Sequence, residues 1–123
     1  MDGRIQLPVI EYLQTRFNAD YVDLITEAGP NLILATQRDM DLVESVLARI
    51  RIAISNHDSV GMAVVGHYDC AGNTASKAEQ LEHIKDSISF LRQHYEEIGL
   101  IGLWVDEKWR VSEVWGGQQG RER

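Results

Sequence analysis

Cysteine is nearly absent from this chain: Cys70 is the only one in 123 residues, which excludes an intrachain disulfide framework. Proline is scarce as well, with two residues, so little interrupts regular structure. No block of Lys or Arg occurs anywhere, and 19 acidic residues against 12 basic ones give a formal charge of −7. The electrostatic footprint expected for binding nucleic acid or an anionic membrane is therefore missing. No apolar run approaches the roughly 20 residues of a membrane span, and no charged n-region followed by an apolar h-region opens the chain. These absences together predict a cytoplasmic protein in a reducing compartment, with no nucleic-acid partner and no membrane partner. With 44% hydrophobic residues, a chain of this length forms one domain with an ordinary core.

What is present alternates between helical and strand-like patterning. Leu7 to Phe17 predicts a first helix, with Pro8 in its first turn, Ile10, Leu13 and Phe17 on one face, and Asn18 as its stop. Asp20 to Ala28 predicts a strand, since Tyr21, Val22, Leu24 and Ile25 precede the Gly29-Pro30 break. A loop and short turn cover Asn31 to Thr36. A second helix is expected from Asp41 to Ser55, with Asp41 and Glu44 as a capping box and an apolar stripe through Val43, Val46, Leu47, Ile50 and Ile54. Val60 to Val65 lacks polar alternation, as expected of a central parallel strand covered on both faces. Ser76 with Glu79 forms another capping box, opening a third helix through Leu81, Ile84, Ile88, Leu91 and Tyr95 that Gly99 terminates. Leu100 to Val105 is a strand, and Trp109 to Trp115 returns antiparallel through the Asp106-Glu107-Lys108 turn.

The expected fold is α/β: a single-domain, mostly parallel sheet flanked by helices on both faces, with its last strand antiparallel. Residues 1–115 form the domain and residues 116–123 a polar, Gly-rich frayed tail. There is no internal repeat and no interdomain linker. The three tryptophans, Trp104, Trp109 and Trp115, fall at the last two strands and suit core or dimer packing better than substrate stacking.

The run Val64-Val65-Gly66-His67-Tyr68-Asp69-Cys70-Ala71-Gly72-Asn73 carries the chemistry. An imidazole and a thiolate three positions apart on a tight loop can reach one zinc ion, and open α/β sheets put their ligand sites at the carboxyl ends of strands. Taken singly, a buried cysteine is most often inert and a lone histidine most often a hydrogen-bonded side chain. Their joint position after a strand, with Gly66 and Gly72 around them, favours metal. A nucleophilic thiol is the weaker alternative, because no arginine follows in the loop to bind an oxyanion and no third group orients His67.

The segment Gly66-His67-Tyr68-Asp69-Cys70 resembles the Gly-His-x-Asp-Cys zinc motif of the β-class carbonic anhydrases. Met1-Asp2-Gly3-Arg4 matches the last four positions of that family's other motif, Cys-x-Asp-x-Arg, with the cysteine falling one residue before Met1. The resemblance runs from Met1 to about Val114. It implies that His67 and Cys70 are zinc ligands and that Asp2 and Arg4 form a carboxylate–guanidinium pair beside the metal. The implied activity is hydration of carbon dioxide to bicarbonate by hydroxide generated on Zn2+, in a homodimer. In that scheme Asp2 orients the hydroxide and Arg4 holds Asp2 away from the metal. Asp69 either braces the loop or is a solvated carboxylate.

The abutment of the motif against Met1 predicts that Met1 is an internal methionine and that the first ligand cysteine, with the strand before it, lies upstream. A fold without that strand has to rearrange or borrow, because both neighbouring strands would keep unpaired backbone groups. If Met1 is the true start, Asp2 could ligate zinc directly. Two other readings accompany the enzyme: a non-catalytic relative serving as a binding or assembly module, and a structural metal-binding domain without turnover.

Overall fold

A carboxylate at residue 2 starts the first helix earlier than apolar periodicity alone predicts. In the computed structural model, which describes residues 1–116, helix α1 spans Gly3–Arg16. The Asp2 carboxylate caps it by accepting from the backbone N–H of Arg4 at 2.9 Å. The predicted start at Leu7 is thus four residues late, and Pro8 lies inside the helix rather than in its first turn. Helix α2 covers Pro30–Thr36, where only a loop and turn were expected; Pro30 occupies its first position and supplies a preset φ. Helix α3, Met40–His57, is capped by Asp39, whose side chain accepts from Leu42 N–H at 3.2 Å. The expected Asp41–Glu44 box does not form, since Asp39 already holds the extended backbone that a cap requires and Asp41 lies within the first turn.

Strand β1, Gly61–His67, leads to helix α4, Lys77–His94, which opens with the full Ser76–Glu79 capping box. Strand β2, Gly99–Val105, and strand β3, Val111–Trp115, complete the described chain. The sheet order is β1-β2-β3, with β1 and β2 parallel from Gly61 opposite Gly99 to His67 opposite Val105, and β3 antiparallel to β2. The α/β class, the parallel pair and the antiparallel last strand agree with the sequence pattern. Trp109 departs from it: it sits in the turn before β3 with φ +59°, its N–H donating to the Asp106 carbonyl.

Alternation along β2 divides the core in two. Leu100 and Trp104 face a cluster with Val43, Val46, Leu47 and Ile50 of α3 and Ile84, Ile88 and Leu91 of α4. Ile101, Leu103 and Val105 face Ile5 and Val9 of α1. Helices therefore cover both faces, and burying about 25 cal/mol for each Å² of apolar surface is what holds the layers together.

The clearest departure from expectation lies between Asp20 and Ala28. Residues 21–27 take no regular secondary structure and pair with no strand among the described residues, so the predicted strand is absent. β1, expected to be central, is an edge strand for the same reason. Residues 21–27, the outer segment, and β1 both line a cavity of about 1220 Å³, together with α1 residues such as Val9 and Leu13 and α3 residues such as Val46 and Ile50. Side chains hold the outer segment in its place: Arg49 pairs with Glu27 and reaches the Thr26 carbonyl, His57 Nδ1 lies 2.7 Å from Asp23, and Gln14 donates to the Asp20 carbonyl. The expected tail lies largely outside the described residues.

Candidate active site

His67 is the last residue of β1 and only 6% exposed. Its Nδ1 lies 2.8 Å from the Tyr68 carbonyl, an acceptor only, so Nδ1 carries the proton and Nε2 keeps a free lone pair. That hydrogen bond to a carbonyl is the usual way a ligand imidazole is oriented. The following loop is held at both ends. Tyr68 N–H extends the ladder to the Val105 carbonyl at 2.9 Å, while Asp69 turns the chain with φ +58°, a left-handed conformation that Asp tolerates.

Beneath the loop is a polar network that pattern reading did not find. The Gln80 amide donates to the carbonyls of His67, Asn73 and Ala75. Asn73 Nδ2 donates to Asn31 Oδ1 at 3.3 Å and lies 3.0 Å from His83 Nδ1, and Ser87 donates to the Asn31 carbonyl at 2.8 Å. Asn31, Asn73, Gln80 and Ser87 are all buried. One signal for them was available: Gln80 and Ser87 fall on the same helical face as Ile84, Ile88 and Leu91, where an unpaired polar group would be costly. Gly66 is required here because a Cβ would come within 2.8 Å of Asn31 Nδ2 and 3.0 Å of Ile84.

The first residues of the chain meet this loop. Arg4 Nε contacts both Asp2 carboxylate oxygens, at 3.0 and 3.1 Å, and Nη2 reaches Oδ2 at 2.6 Å. The guanidinium also donates to the Asp69 carboxylate and to the Asp69 carbonyl, each at 3.3 Å, and stacks over Trp109 at 4.6 Å. Asp2 Oδ2 stands 4.0 Å from His67 Nδ1. The Arg4 side chain, with the Arg4 backbone N–H behind it, holds the Asp2 carboxyl far below the usual carboxylate range. The same pairing keeps the guanidinium firmly cationic. Asp69 is thus an exposed carboxylate that braces the loop through Arg4.

Cys70 is a free, half-buried thiol. It lines the same cavity as Asp2 and His67, so all four sequence candidates, Asp2, Arg4, His67 and Cys70, gather at one end of β1. As a zinc site the set is partial. His67 Nε2 and the Cys70 thiolate are suitable donors, but among the described residues no group of three or more His, Cys, Asp or Glu side chains is arranged to hold a metal ion. Asp2 does not make the third, being held by Arg4.

A family model described as "Putative carbonic anhydrase" matches residues 1–115. No curated protein and no solved structure matches the chain. No helix among the described residues is long and apolar enough to cross a membrane.

Proposed function

The chain belongs to the putative carbonic anhydrase family, and from that premise we propose that it is a zinc-dependent lyase interconverting carbon dioxide and bicarbonate. The observation that carries this reading is the meeting of the Asp2–Arg4 pair with the His67–Cys70 loop, through Arg4 and Asp69, across 65 residues of sequence. His67 Nε2 and Cys70 would hold the metal, together with a third donor that the described residues do not present there. Zinc, when bound, supplies a Lewis acid that makes water nucleophilic near neutral pH.

The chain's own residues have separable tasks in this reading. The Tyr68 carbonyl fixes the His67 ring so that Nε2 is the free nitrogen. Asp2 remains ionised at neutral pH and offers a fixed acceptor that orients a proton-bearing reactant. Arg4 keeps that carboxylate turned toward itself, and so available as an acceptor rather than as a metal ligand. The largely apolar lining of the cavity beside His67 suits the approach of carbon dioxide, itself apolar.

Zinc content of the isolated protein and stopped-flow carbon dioxide hydration test the proposal together. Stoichiometric zinc with hydration above the uncatalysed rate is the expected result, and full zinc occupancy without hydration overturns it. The partial donor set favours a second reading, a non-catalytic family member serving as a binding module, for which zinc would stay substoichiometric. A homodimer, implied by the family resemblance, in the cytoplasm, where a single cysteine fits a reducing compartment, is part of the leading reading, and light scattering and cell fractionation check the two.

A further inference from the structure

Trp109 sits where a hairpin ordinarily asks for glycine. In the turn between β2 and β3 its backbone is left-handed, with φ +59°, and a loop residue in that conformation is most often glycine, because a Cβ there crowds the backbone. The chain puts its bulkiest kind of side chain at this position instead. Such a conformation persists only where the surroundings hold it, and here they do. Trp109 N–H donates to the Asp106 carbonyl at 2.9 Å and Asp106 N–H to the Arg110 carbonyl at 3.0 Å, while the Asp106 carboxylate accepts from the backbone N–H groups of Lys108 and Arg110, each at 2.9 Å. What the held turn delivers is an indole face, and the Arg4 guanidinium carbon lies over it, 4.6 Å from the ring centre.

We propose that Trp109 is a positioning residue for the Asp2–Arg4 pair: its indole fixes the plane of the Arg4 guanidinium and, through it, the direction of the Asp2 carboxylate. Guanidinium N–H groups all point outward in one plane. Arg4 directs Nε and Nη2 at the Asp2 carboxylate, and Nη1 and Nη2 at the Asp69 carboxylate and carbonyl. Only a fixed tilt of that plane serves both partners at once. The two bonds to Asp69 are long, at 3.3 Å each, and the Arg4 side chain is 46% exposed, so edge contacts alone hold the plane loosely. A ring face stacked on the guanidinium removes that freedom. The sheet makes the contact possible: β1 and β2 are parallel with His67 opposite Val105, so the turn after β2 lies beside the loop after β1, and one arginine of α1 reaches both.

Packing alone is the plainer account of Trp109. Its side chain is partly buried against the cluster of Ile5, Val9, Ile101, Leu103 and Val105, and a leucine could cover those atoms. Apolar cover does not require a ring at this position, whereas a guanidinium contact does, because only an aromatic face carries the negative quadrupole that attracts a cation. Arg16 separates the two accounts. It lies on the same helix, about 18 Å further along, and its Nε donates to Glu113 of β3 at 2.9 Å. General loosening of α1 from the sheet would disturb Arg16 and Arg4 alike, while loss of the indole face would disturb Arg4 only. The part that Trp109 plays in turnover rests on the carbonic anhydrase reading, in which Asp2 orients the reactant; the orientation of Arg4 needs neither metal nor turnover.

The test follows hydrogen exchange at the arginine Nε–H groups by nuclear magnetic resonance, in the 123-residue protein and in Trp109→Gly, Trp109→Leu and Trp109→Tyr. Glycine gives the turn the residue its backbone favours and removes the ring, leucine keeps apolar cover without a π face, and tyrosine restores a face. The expected result is Arg4 Nε–H exchange about three- to tenfold faster in the glycine and leucine variants and within about twofold of the parent in the tyrosine variant, with Arg16 Nε–H unchanged in all three. Unchanged Arg4 exchange in Trp109→Leu overturns the proposal, as does a tyrosine variant no better protected than the leucine one. An equal rise at Arg4 and Arg16 also overturns it, by making Trp109 a packing residue only. If Trp109→Gly does not fold, the leucine and tyrosine variants decide the matter between them. In zinc-loaded protein the leucine variant should lose kcat for carbon dioxide hydration at unchanged KM, and the tyrosine variant should recover it. A parent protein that hydrates no carbon dioxide refutes the enzymatic reading alone, while the exchange rates still decide the role of Trp109.

Discussion

The contact between Gly72 and the Ala28–Gly29 peptide is the most exposed to refutation, because it is backbone against backbone. A Cβ at residue 72 would lie 2.4 Å from the Ala28 carbonyl carbon, 2.6 Å from Gly29 nitrogen and 2.8 Å from the Ala28 oxygen. No side-chain rotation relieves such a clash, so Gly72→Ala must push the loop after His67 and the Ala28–Gly29 backbone apart. Overpacking of this kind costs about 1–3 kcal/mol. In a domain of this size the melting temperature should drop by about 5–15 °C. Thermal unfolding followed by circular dichroism measures the shift, and the Cys70 thiol, two residues away, should react faster with an aromatic disulfide as the loop loosens. Gly3→Ala is the control. Its Cβ meets nothing within 4 Å and it opens α1, so that variant should gain about 0.4–1 kcal/mol. If Gly72→Ala melts at or above the parent temperature with unchanged thiol reactivity, the packing of Gly72 on Gly29 is wrong.

Three further outcomes are expected. Leu100→Ala, at a fully buried position of β2, should cost about 2–5 kcal/mol in urea unfolding, and a loss under 1 kcal/mol would contradict its place in the core. Ser76→Ala removes one half of the α4 capping box and should cost about 1 kcal/mol, seen as a lower urea midpoint at unchanged slope. The backbone N–H groups of Arg110 and Lys108 hold the Asp106 carboxyl below its usual value of 3.8, so its contribution to stability is present above that pH and is lost as the pH falls through the lower folded value. Asp106→Asn should flatten that part of the acid-unfolding profile, and an identical profile would count against it.

Much of the candidate site could be read from sequence, because its residues obey local rules. The non-alternating run from Met62 to Val65 marked a strand parallel to its neighbour, though at the sheet edge and only partly buried, and the glycines around His67 and Cys70 marked a tight loop at its carboxyl end. Ser76 and Glu79 capped the next helix as their spacing requires. What was misread depends on partners. Tyr21, Val22, Leu24 and Ile25 have strand propensity, yet a strand exists only when another edge completes its hydrogen bonds, and none is present among the described residues. Asp39 and Asp41 compete for one cap, and the choice rests on backbone dihedrals that composition does not encode. The Asn31–Asn73–Gln80–Ser87 network joins residues up to 56 positions apart, and only its two members on α4 left a trace in the helical pattern.

Asp2 is where these levels meet. Its carboxylate has three partners on a single residue: the Arg4 backbone N–H that starts the helix, and the Nε and Nη2 of the same side chain. Capping and ion pairing thus reinforce each other, since turning the carboxylate away would uncap α1 and release Arg4 at once. Release of Arg4 would in turn free Asp69 and the loop between His67 and Cys70, because the guanidinium is the group that joins them. A carboxylate so committed is a poor candidate for direct metal ligation, even though it stands only 4.0 Å from the His67 ring. It is a good candidate for a fixed acceptor, because its direction is set by the fold before any ligand arrives. The same logic explains why four candidate residues from two distant segments gather at one end of β1: the helix cap at residue 2 and the strand end at residue 67 are both boundary positions, and the layered packing brings those boundaries to the same edge of the sheet.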